Sequence, residues 1–315
     1  MSELTTLTCP LCESYQLDDY RIIGYGSQAE GGIRDFPVLR CRLHGIEFAD
    51  ARPLASPDPD PKGSLDRLYG TDTKSQLRYI DFMDRIEAIV GSAGGRLLHD
   101  VGCGNGQLVF EARRRGWRVQ GSDIIPAVKA ELEANGVRCL IGTLSDLPAD
   151  PNSCDVVTSF CVLPHHLTDS RADMNSCWMM LRPGGWLILQ IPDNGLYRRF
   201  GKFLYHALLP WRPLKFSRFL LANLYGPGGH QFAFTRKNLA HYLYRYGFKQ
   251  VIFRSYYPSA RYALARFRSK ALWFRVAAAI ALGLLKLTGR AFGLPNHCIA
   301  YARKPNGDRT NLGMR

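Results

Sequence analysis

The amino-acid sequence predicts an α/β fold in which a sheet of parallel strands carries helices on both faces. An apolar run from Arg96 to Val101 indicates a buried strand, and a helical pattern follows it from Gln107 to Arg115. Short apolar runs continue to alternate with helical patterns as far as Gln190. Strands that alternate with helices are typical of units whose strands run parallel.

The remaining elements follow from the same alternation. Glycine, proline and asparagine separate the apolar runs, as expected where the chain turns. In order, the elements are a strand from Trp117 to Gly121, a helix from Ala127 to Asn135, strands from Arg138 to Ile141 and from Asp155 to Phe160, and, from Leu181 to Gln190, a helix end, a Pro-Gly-Gly turn and a fifth strand.

Three glycines spaced two apart, Gly102, Gly104 and Gly106, join the first strand to its helix. Glycines at such a turn permit tight backbone angles and let a ligand approach bare peptide at a helix N-terminus. Asp123 follows the second strand, where a carboxylate can bind a ribose diol. A dinucleotide-binding loop has its third glycine one residue later, so an NAD-binding domain is the weaker alternative.

The composition sets broad limits on the protein. Its 315 residues allow one large domain or two, and a hydrophobic content of 46% is ample for a core. No basic segment followed by an apolar one opens the sequence, so we expect no secretory signal. The nine cysteines are scattered, which favours reduced thiols in a cytoplasmic protein.

Charge is distributed unevenly along the chain. Residues 1–193 contain 19 Lys and Arg and 26 Asp and Glu, whereas residues 194–307 contain 20 Lys and Arg and no Asp or Glu. Many aromatic residues lie among these basic ones. This combination indicates a polyanionic partner, and both nucleic acid and an anionic membrane surface qualify.

Two basic, apolar helical insertions are expected, at about 196–228 and 258–292. The second contains ten consecutive apolar residues, Val276 to Leu285, which are too few to span a bilayer. A basic helix with an apolar side is suited to lie among lipid headgroups. Packing of these helices on the protein's own sheet is the next alternative, and RNA binding is the least favoured.

Cysteine and histidine spacing near the N-terminus predicts a zinc ribbon. Cys9 and Cys12 form one pair separated by two residues, and Cys41 and His44 form a second pair 28 residues later. Tetrahedral zinc takes two ligands from each such turn, and four protein ligands make the site structural. The alternative is a degenerate ribbon without metal. The predicted domains are a ribbon at 1–50, a linker at 51–75 and an α/β domain at 76–315.

The chain resembles the class I S-adenosylmethionine-dependent methyltransferases from about Tyr79 to Lys304. The residues that carry the resemblance are Asp100–Gly106, Asp123, Ser153–Val157, Val162–His165, Leu181–Gly185 and His230–Leu239. The resemblance implies a Rossmann-like sheet and methyl transfer from S-adenosylmethionine. The segment Arg40–Phe48 is similar to the zinc ribbon of some bacterial class I methyltransferases, in which a cysteine usually stands where this chain has His44.

The resemblance also implies roles for particular residues. Gly102, Cys103 and Gly104 would contact the methionine part of the cofactor, with Asp100 ordering the loop and Gly106 completing it. Asp123 would bind the ribose. Thr143 and Leu144 would border the adenine, although many relatives carry an acid there, and Asp146 lies further along the chain. Phe160 would lie under the cofactor.

His165 and His230 match family histidines and are the candidates for a general base, with loop-structuring roles as the alternative. Ribbon-headed relatives often act on sugars or lipid-linked saccharides. We therefore expect O- or N-methylation of a saccharide or lipid-linked acceptor. The alternatives are an RNA methyltransferase and a non-catalytic membrane-bound protein that retains the fold. Nothing in the sequence indicates the oligomeric state.

Overall fold

The computed structural model describes most of the catalytic domain and parts of the N-terminal region. The described residues are 8–9, 11–12, 14–25, 33–49, 60, 63, 73–144, 146, 150–165, 170–193, 207, 210, 232–256, 273, 276–277, 280, 284 and 297–306. Most of the predicted linker and of both predicted helical insertions therefore lies outside the described residues.

Strands and helices alternate along the described chain. The strands are β1 (Leu17–Tyr25), β2 (Ile33–Cys41), β3 (Glu47–Ala49), β4 (Leu97–Val101), β5 (Arg118–Asp123), β6 (Arg138–Ile141), β7 (Cys154–Phe160), β8 (Leu181–Pro192), β9 (Phe232–Ala233), β10 (Gln250–Ser255) and β11 (His297–Arg303). The helices are α1 (Thr73–Val90), α2 (Gln107–Arg114), α3 (Pro126–Ala134), α4 (Ser170–Met180) and α5 (Arg236–Arg245).

The chain divides into two compact units, each described by itself below. One unit comprises residues 1–58, 161–172 and 191–245, and the other comprises 59–160, 173–190 and 246–315. The first contains a four-stranded sheet of order β1-β2-β3-β9. The second contains a seven-stranded sheet of order β10-β11-β8-β7-β4-β5-β6, apart from the last two residues of β8.

The seven-stranded sheet confirms the predicted α/β fold. Strands β6, β5, β4, β7 and β8 are neighbours and run parallel, and helices α2 and α3 connect the first three in sequence. The predicted elements from residue 96 to 160 all occur, with ends that differ by one or two residues. Helix α1, which has no counterpart among the predicted elements, buries Phe82, Met83 and Ile86 in the same core as Leu98.

The segment 181–185 differs from its prediction. The sequence indicates a helix end and a Pro-Gly-Gly turn, but the structure has β8 begin at Leu181 and continue through these residues. Cys154 pairs with Leu181, whereas Val156 pairs with Trp186, so the extra residues are absorbed as an irregularity in the strand. Gly184 adopts a φ of 79° there, and its N–H donates to the carbonyl of Lys304 at 3.1 Å.

The four-stranded sheet is antiparallel throughout. Strands β1 and β2 form a long hairpin, in which Leu17 pairs with Cys41, and β3 pairs with the β2 end next to Cys41. The fourth strand, β9, pairs with β3 although it lies much later in the chain. Residues near the N-terminus and residues almost 200 positions later in the chain therefore share one sheet.

Candidate functional site

The three glycines form a fixed turn between β4 and α2. Gly102, Gly104 and Gly106 have φ values of 66°, 52° and 73°, in the left-handed region that favours glycine. The N–H groups of Gly102 and Cys103 both donate to the carbonyl of Ser122, at 2.8 and 3.0 Å. The backbone geometry expected from the glycine spacing is therefore confirmed, and the loop is attached to the end of β5.

Asp123 ends β5 directly beside this loop. Its buried carboxylate accepts hydrogen bonds from the N–H of Gly104 at 2.9 Å and from the N–H of Ile125 at 3.0 Å. Each carboxylate oxygen has a second lone pair that remains able to accept a hydroxyl proton. The arrangement is compatible with the predicted ribose contact, which stays a prediction.

Asp100 lies buried in β4, and its environment favours a proton on the carboxyl. Burial raises the pKa of Asp100 from 3.8 to about 7, and the charge of Asp123 acts in the same direction. A 2.6 Å hydrogen bond from the hydroxyl of Thr158 opposes this shift. A cationic ligand beside the carboxyl would favour its ionised form.

Two residues that contact Asp100 and the glycine loop were not predicted from the sequence. Thr158 lies directly across from Asp100 in the β4–β7 register, and Ser122 receives the loop amides. Ser122 also hydrogen-bonds through its hydroxyl to His99, at 3.0 Å. Burial, together with the charge of Arg138, lowers the pKa of His99 to about 4, so this imidazole is neutral. Only a known strand register could have identified Thr158.

The chain after β6 forms the side expected to border adenine. Leu144 is buried, and the hydroxyl of Thr143 donates to the carboxylate of Asp146 at 2.5 Å. The N–H of Gly142 donates to the carbonyl of Asp123 at 3.0 Å, which joins this segment to the end of β5. An acid thus lies next to Thr143, although the sequence distance left Asp146 in doubt.

Phe160 ends β7, the strand on the other side of β4. It is half-buried, and its ring meets the ring of Phe82 edge-on, with centroids 4.7 Å apart. The carboxyl ends of β7, β4, β5 and β6 thus carry Phe160, the glycine loop, Asp123 and Thr143. Open parallel sheets bind ligands at this edge.

The two candidate bases are less well defined. His165 ends a short 3-10 turn, Leu163–His165, whose Cα atoms come within 8 Å of those of β9. His230 lies outside the described residues. Their catalytic roles therefore stay predictions.

The predicted metal ligands lie together. The donor atoms of Cys9, Cys12, Cys41 and His44 all lie within 4.8 Å of one another. The Sγ of Cys9 is 3.5 Å from Nε2 of His44, and the Sγ of Cys12 is 3.6 Å from that of Cys41. Backbone turns close both pairs, because Cys12 N–H donates to Cys9 and Gly45 N–H donates to Cys41.

The chemistry of this donor set fits zinc. Burial raises the pKa of the Cys9 and Cys12 thiols, so without a cation they keep their protons. Burial also lowers the pKa of His44 to about 4, with the charges of His241 and Arg245 contributing, so its imidazole is neutral and able to bind a metal. A divalent ion would replace the thiol protons and leave no open coordination position.

Known proteins resemble this chain over the same region. Residues 99–189 match the family model described as a methyltransferase domain. A ubiquinone biosynthesis O-methyltransferase of Alkalilimnicola ehrlichii is 28% identical over 186 residues, which cover 55% of this chain and 71% of that protein. The protein of the same name from Xanthomonas campestris pv. campestris is 37% identical over 114 residues, covering 34% and 47%.

Among solved structures, a SAM dependent methyltransferase from Archaeoglobus fulgidus is similar to this chain. It aligns with a TM-score of 0.49 at 14% identity, and the alignment covers 78% of this chain and 100% of that one.

The parallel sheet, the glycine loop and the matched domain together define a class of enzyme. The protein is an S-adenosylmethionine-dependent methyltransferase, and its Rossmann-like sheet is of the class I type. This result favours the methyltransferase interpretation over the NAD-binding one. The two curated relatives are spanned over 71% and 47% of their own lengths, so what they methylate is not established for this chain.

Proposed function

We propose that the protein transfers the methyl group of S-adenosylmethionine to an oxygen or nitrogen atom of a saccharide or lipid-linked acceptor. The observation that carries the cofactor assignment is the glycine loop, which is hydrogen-bonded to the end of β5 with the Asp123 carboxylate on its Gly104 amide. Relatives named for O-methylation in ubiquinone biosynthesis favour oxygen as the acceptor atom.

In this proposal the chain mainly holds the two reactants in line. S-adenosylmethionine supplies an electrophilic methyl group on a sulfonium, which is already a good leaving group. Orientation of an acceptor against such a group contributes about 7–11 kcal/mol in favourable cases. Asp123 would accept the ribose hydroxyls, the glycine loop would bind the methionine part, and Phe160 would pack under the cofactor.

An acceptor hydroxyl also has to lose a proton. His165 or His230 would take it as general base, since an imidazole with an ordinary pKa is partly neutral at physiological pH. Replacing each histidine by glutamine separately tests this assignment. The variant that lacks the general base should lose turnover and keep its affinity for S-adenosylmethionine. Equal loss of turnover and of affinity would argue for a structural role of that histidine instead.

Calorimetry with S-adenosylmethionine tests the cofactor assignment. Asp123→Ala should weaken binding by about tenfold or more, because it removes charge-assisted hydrogen bonds to the ligand. Asp150→Ala, at an exposed turn, is the matched control and should bind like the native protein. Undetectable binding to the native protein, or tighter binding of NAD, would overturn the proposal.

A structural zinc ion at Cys9, Cys12, Cys41 and His44 is part of the proposal, and the mutual approach of the four donor atoms supports it. Elemental analysis should find one zinc per chain. Cys41→Ser should lose the metal and destabilise the ribbon, because metal binding and folding are coupled in such sites. Metal-free protein that is equally stable in the presence of a chelator would indicate a degenerate ribbon.

An anionic membrane surface is the proposed partner of residues 194–307, the basic stretch without Asp or Glu. Residues Trp273, Val276, Ala277, Ile280 and Leu284 are helical, and their spacing is that of one helix side. Trp273 is 72% exposed and Ile280 is 60% exposed. Exposed apolar side chains at this spacing, in a stretch without carboxylates, are typical of helices that lie among headgroups. Within the described residues, no helix is long and apolar enough to cross a bilayer.

Sedimentation with vesicles tests this partner. The protein should bind vesicles of phosphatidylglycerol and phosphatidylcholine more strongly than phosphatidylcholine alone, and part of the binding should resist salt. Trp273→Ser should remove the salt-resistant part, whereas Tyr15→Ser, at a comparably exposed aromatic of the ribbon, should not. RNA binding that vanishes steeply with salt, without vesicle association, would favour an RNA methyltransferase. Binding to neither would favour helices that pack internally.

A further inference from the structure

Cys41, one of the four proposed metal ligands, and strand β9 belong to the same four-stranded sheet. Strand β3 begins three residues after His44 and pairs with β9, with Glu47 opposite Ala233 and Phe48 opposite Phe232. The rings of Phe48 and Phe232 have centroids 6.3 Å apart. Strand β9 has only two residues, and β3 is the strand with which it pairs in the described part of the sheet.

A second contact joins the cluster to the helix that follows β9. The ring of His44 lies 5.5 Å from the ring of His241 on α5. The N-terminus of α5 is capped, since Thr235 N–H donates to Asn238 at 2.8 Å and Asn238 N–H donates back to Thr235 at 3.3 Å. Thr235 is therefore the N-cap residue of α5. Strand and helix therefore meet the N-terminal region at two places, β9 through strand β3 and α5 through the proposed ligand His44.

This β9–α5 segment, residues 232–245, is connected to both candidate bases. His230 is two residues before Phe232 in the sequence, and the turn that ends at His165 lies against β9. Arg236, in the first turn of α5, also forms an ion pair with Asp193 at 2.7 Å, just after β8 ends. By contrast, the hydrogen bonds described above for Asp100, Asp123 and the glycine loop all lie within residues 97–160.

We infer that the metal-bound ribbon holds the β9–α5 segment, which directly follows the candidate base His230 in the sequence, and that it does not contribute to cofactor binding. This inference rests on the proposed function, in which His165 or His230 faces the acceptor. A bound metal fixes Cys41 and His44 and so fixes β3, the edge on which β9 is paired. Without the metal, the segment 232–245 loses the partner that orders it.

Hydrogen exchange with mass spectrometry on the full-length protein tests the coupling. Removing zinc with a chelator should speed hydrogen exchange in peptides from 232–245 by about tenfold or more. Without the metal, this segment can open locally while no metal–ligand bond has to break. Peptides from α2 should be unaffected, and the affinity for S-adenosylmethionine should stay within about twofold. Equal acceleration in α2, unchanged exchange at 232–245, or protein that contains no metal would each overturn the inference.

A variant that keeps all four ligands separates positioning from general stability. Phe232→Ala should retain zinc, speed exchange in α5, and raise KM for a labelled lipid extract that supports turnover, while KM for S-adenosylmethionine is unchanged. Phe232→Leu should show much smaller changes in exchange and in KM, because leucine refills the contact with Phe48. Normal KM values with fast exchange would mean that the ribbon is only structural. Failure of S-adenosylmethionine to bind would refute the proposed function. The hydrogen-exchange data would still test the coupling between the metal site and residues 232–245.

Discussion

Replacing Gly106 by alanine should destabilise the protein more than the same change at Gly95, and the structure defines the difference. The two glycines have φ values of 73° and 75°. A Cβ atom at Gly106 would lie 2.9 Å from Cε2 of Phe110 and 3.0 Å from Cδ1 of Leu132. At Gly95 no such atom lies within 4 Å. The positions share a backbone conformation and differ in crowding.

The expected magnitudes follow from these two contributions. Left-handed geometry costs an alanine roughly 1–2 kcal/mol, and this applies at both positions. Overpacking a buried site adds about 1–3 kcal/mol, and this applies only at Gly106. Gly106→Ala should therefore lower the free energy of unfolding by about 2–5 kcal/mol, and Gly95→Ala by about 1–2 kcal/mol.

Urea unfolding followed by tryptophan fluorescence measures both variants, with the slope against denaturant checked for constancy. Calorimetry on folded protein should also show weaker S-adenosylmethionine binding for Gly106→Ala, since the loop would shift, and native affinity for Gly95→Ala. Equal losses of stability in the two variants would refute the argument that crowding by Phe110 and Leu132 requires a glycine at 106.

Four further predictions concern buried polar groups. The folded protein keeps a proton on Asp100 that the unfolded chain releases above its ordinary pKa of 3.8. The free energy of unfolding should therefore fall as pH rises from about 4 to 7. Asp100→Asn should abolish that fall in urea titrations. Cofactor affinity should decrease as pH drops from about 8 to 6, because a cationic ligand favours the carboxylate; a flat calorimetric profile would contradict this. Thr158→Val removes the hydroxyl that favours ionisation, and should move the midpoint of that affinity profile to higher pH. Lys304→Met leaves the carbonyls of Trp178 and Leu181 without their ammonium donor, and should cost about 2–4 kcal/mol in urea unfolding, against near-native stability for Lys249→Met at an exposed site.

Sequence reasoning was most successful where the chemistry is local. The left-handed angles of the glycine loop follow from residue type, and the two metal-ligand pairs follow from a spacing that one tight turn enforces. At 181–185 the prediction was correct only in part. Strand β8 already begins at Leu181, but residues 182–185 have no partner on β7 and Gly184 has a φ of 79°, so the chain turns locally inside the strand.

The sequence by itself therefore determined the α/β alternation, the left-handed glycine turn and the two turns of the Cys/His pairs, because each depends on neighbouring residues and on backbone preferences. Only the tertiary structure decided which distant groups meet. Thr158 reaches Asp100 through the register of two parallel strands, and β9 completes the ribbon sheet from far along the chain. Such pairings depend on which strand edges are free when the chain collapses, and a two-residue strand such as β9 has too little pattern of its own to specify its partner.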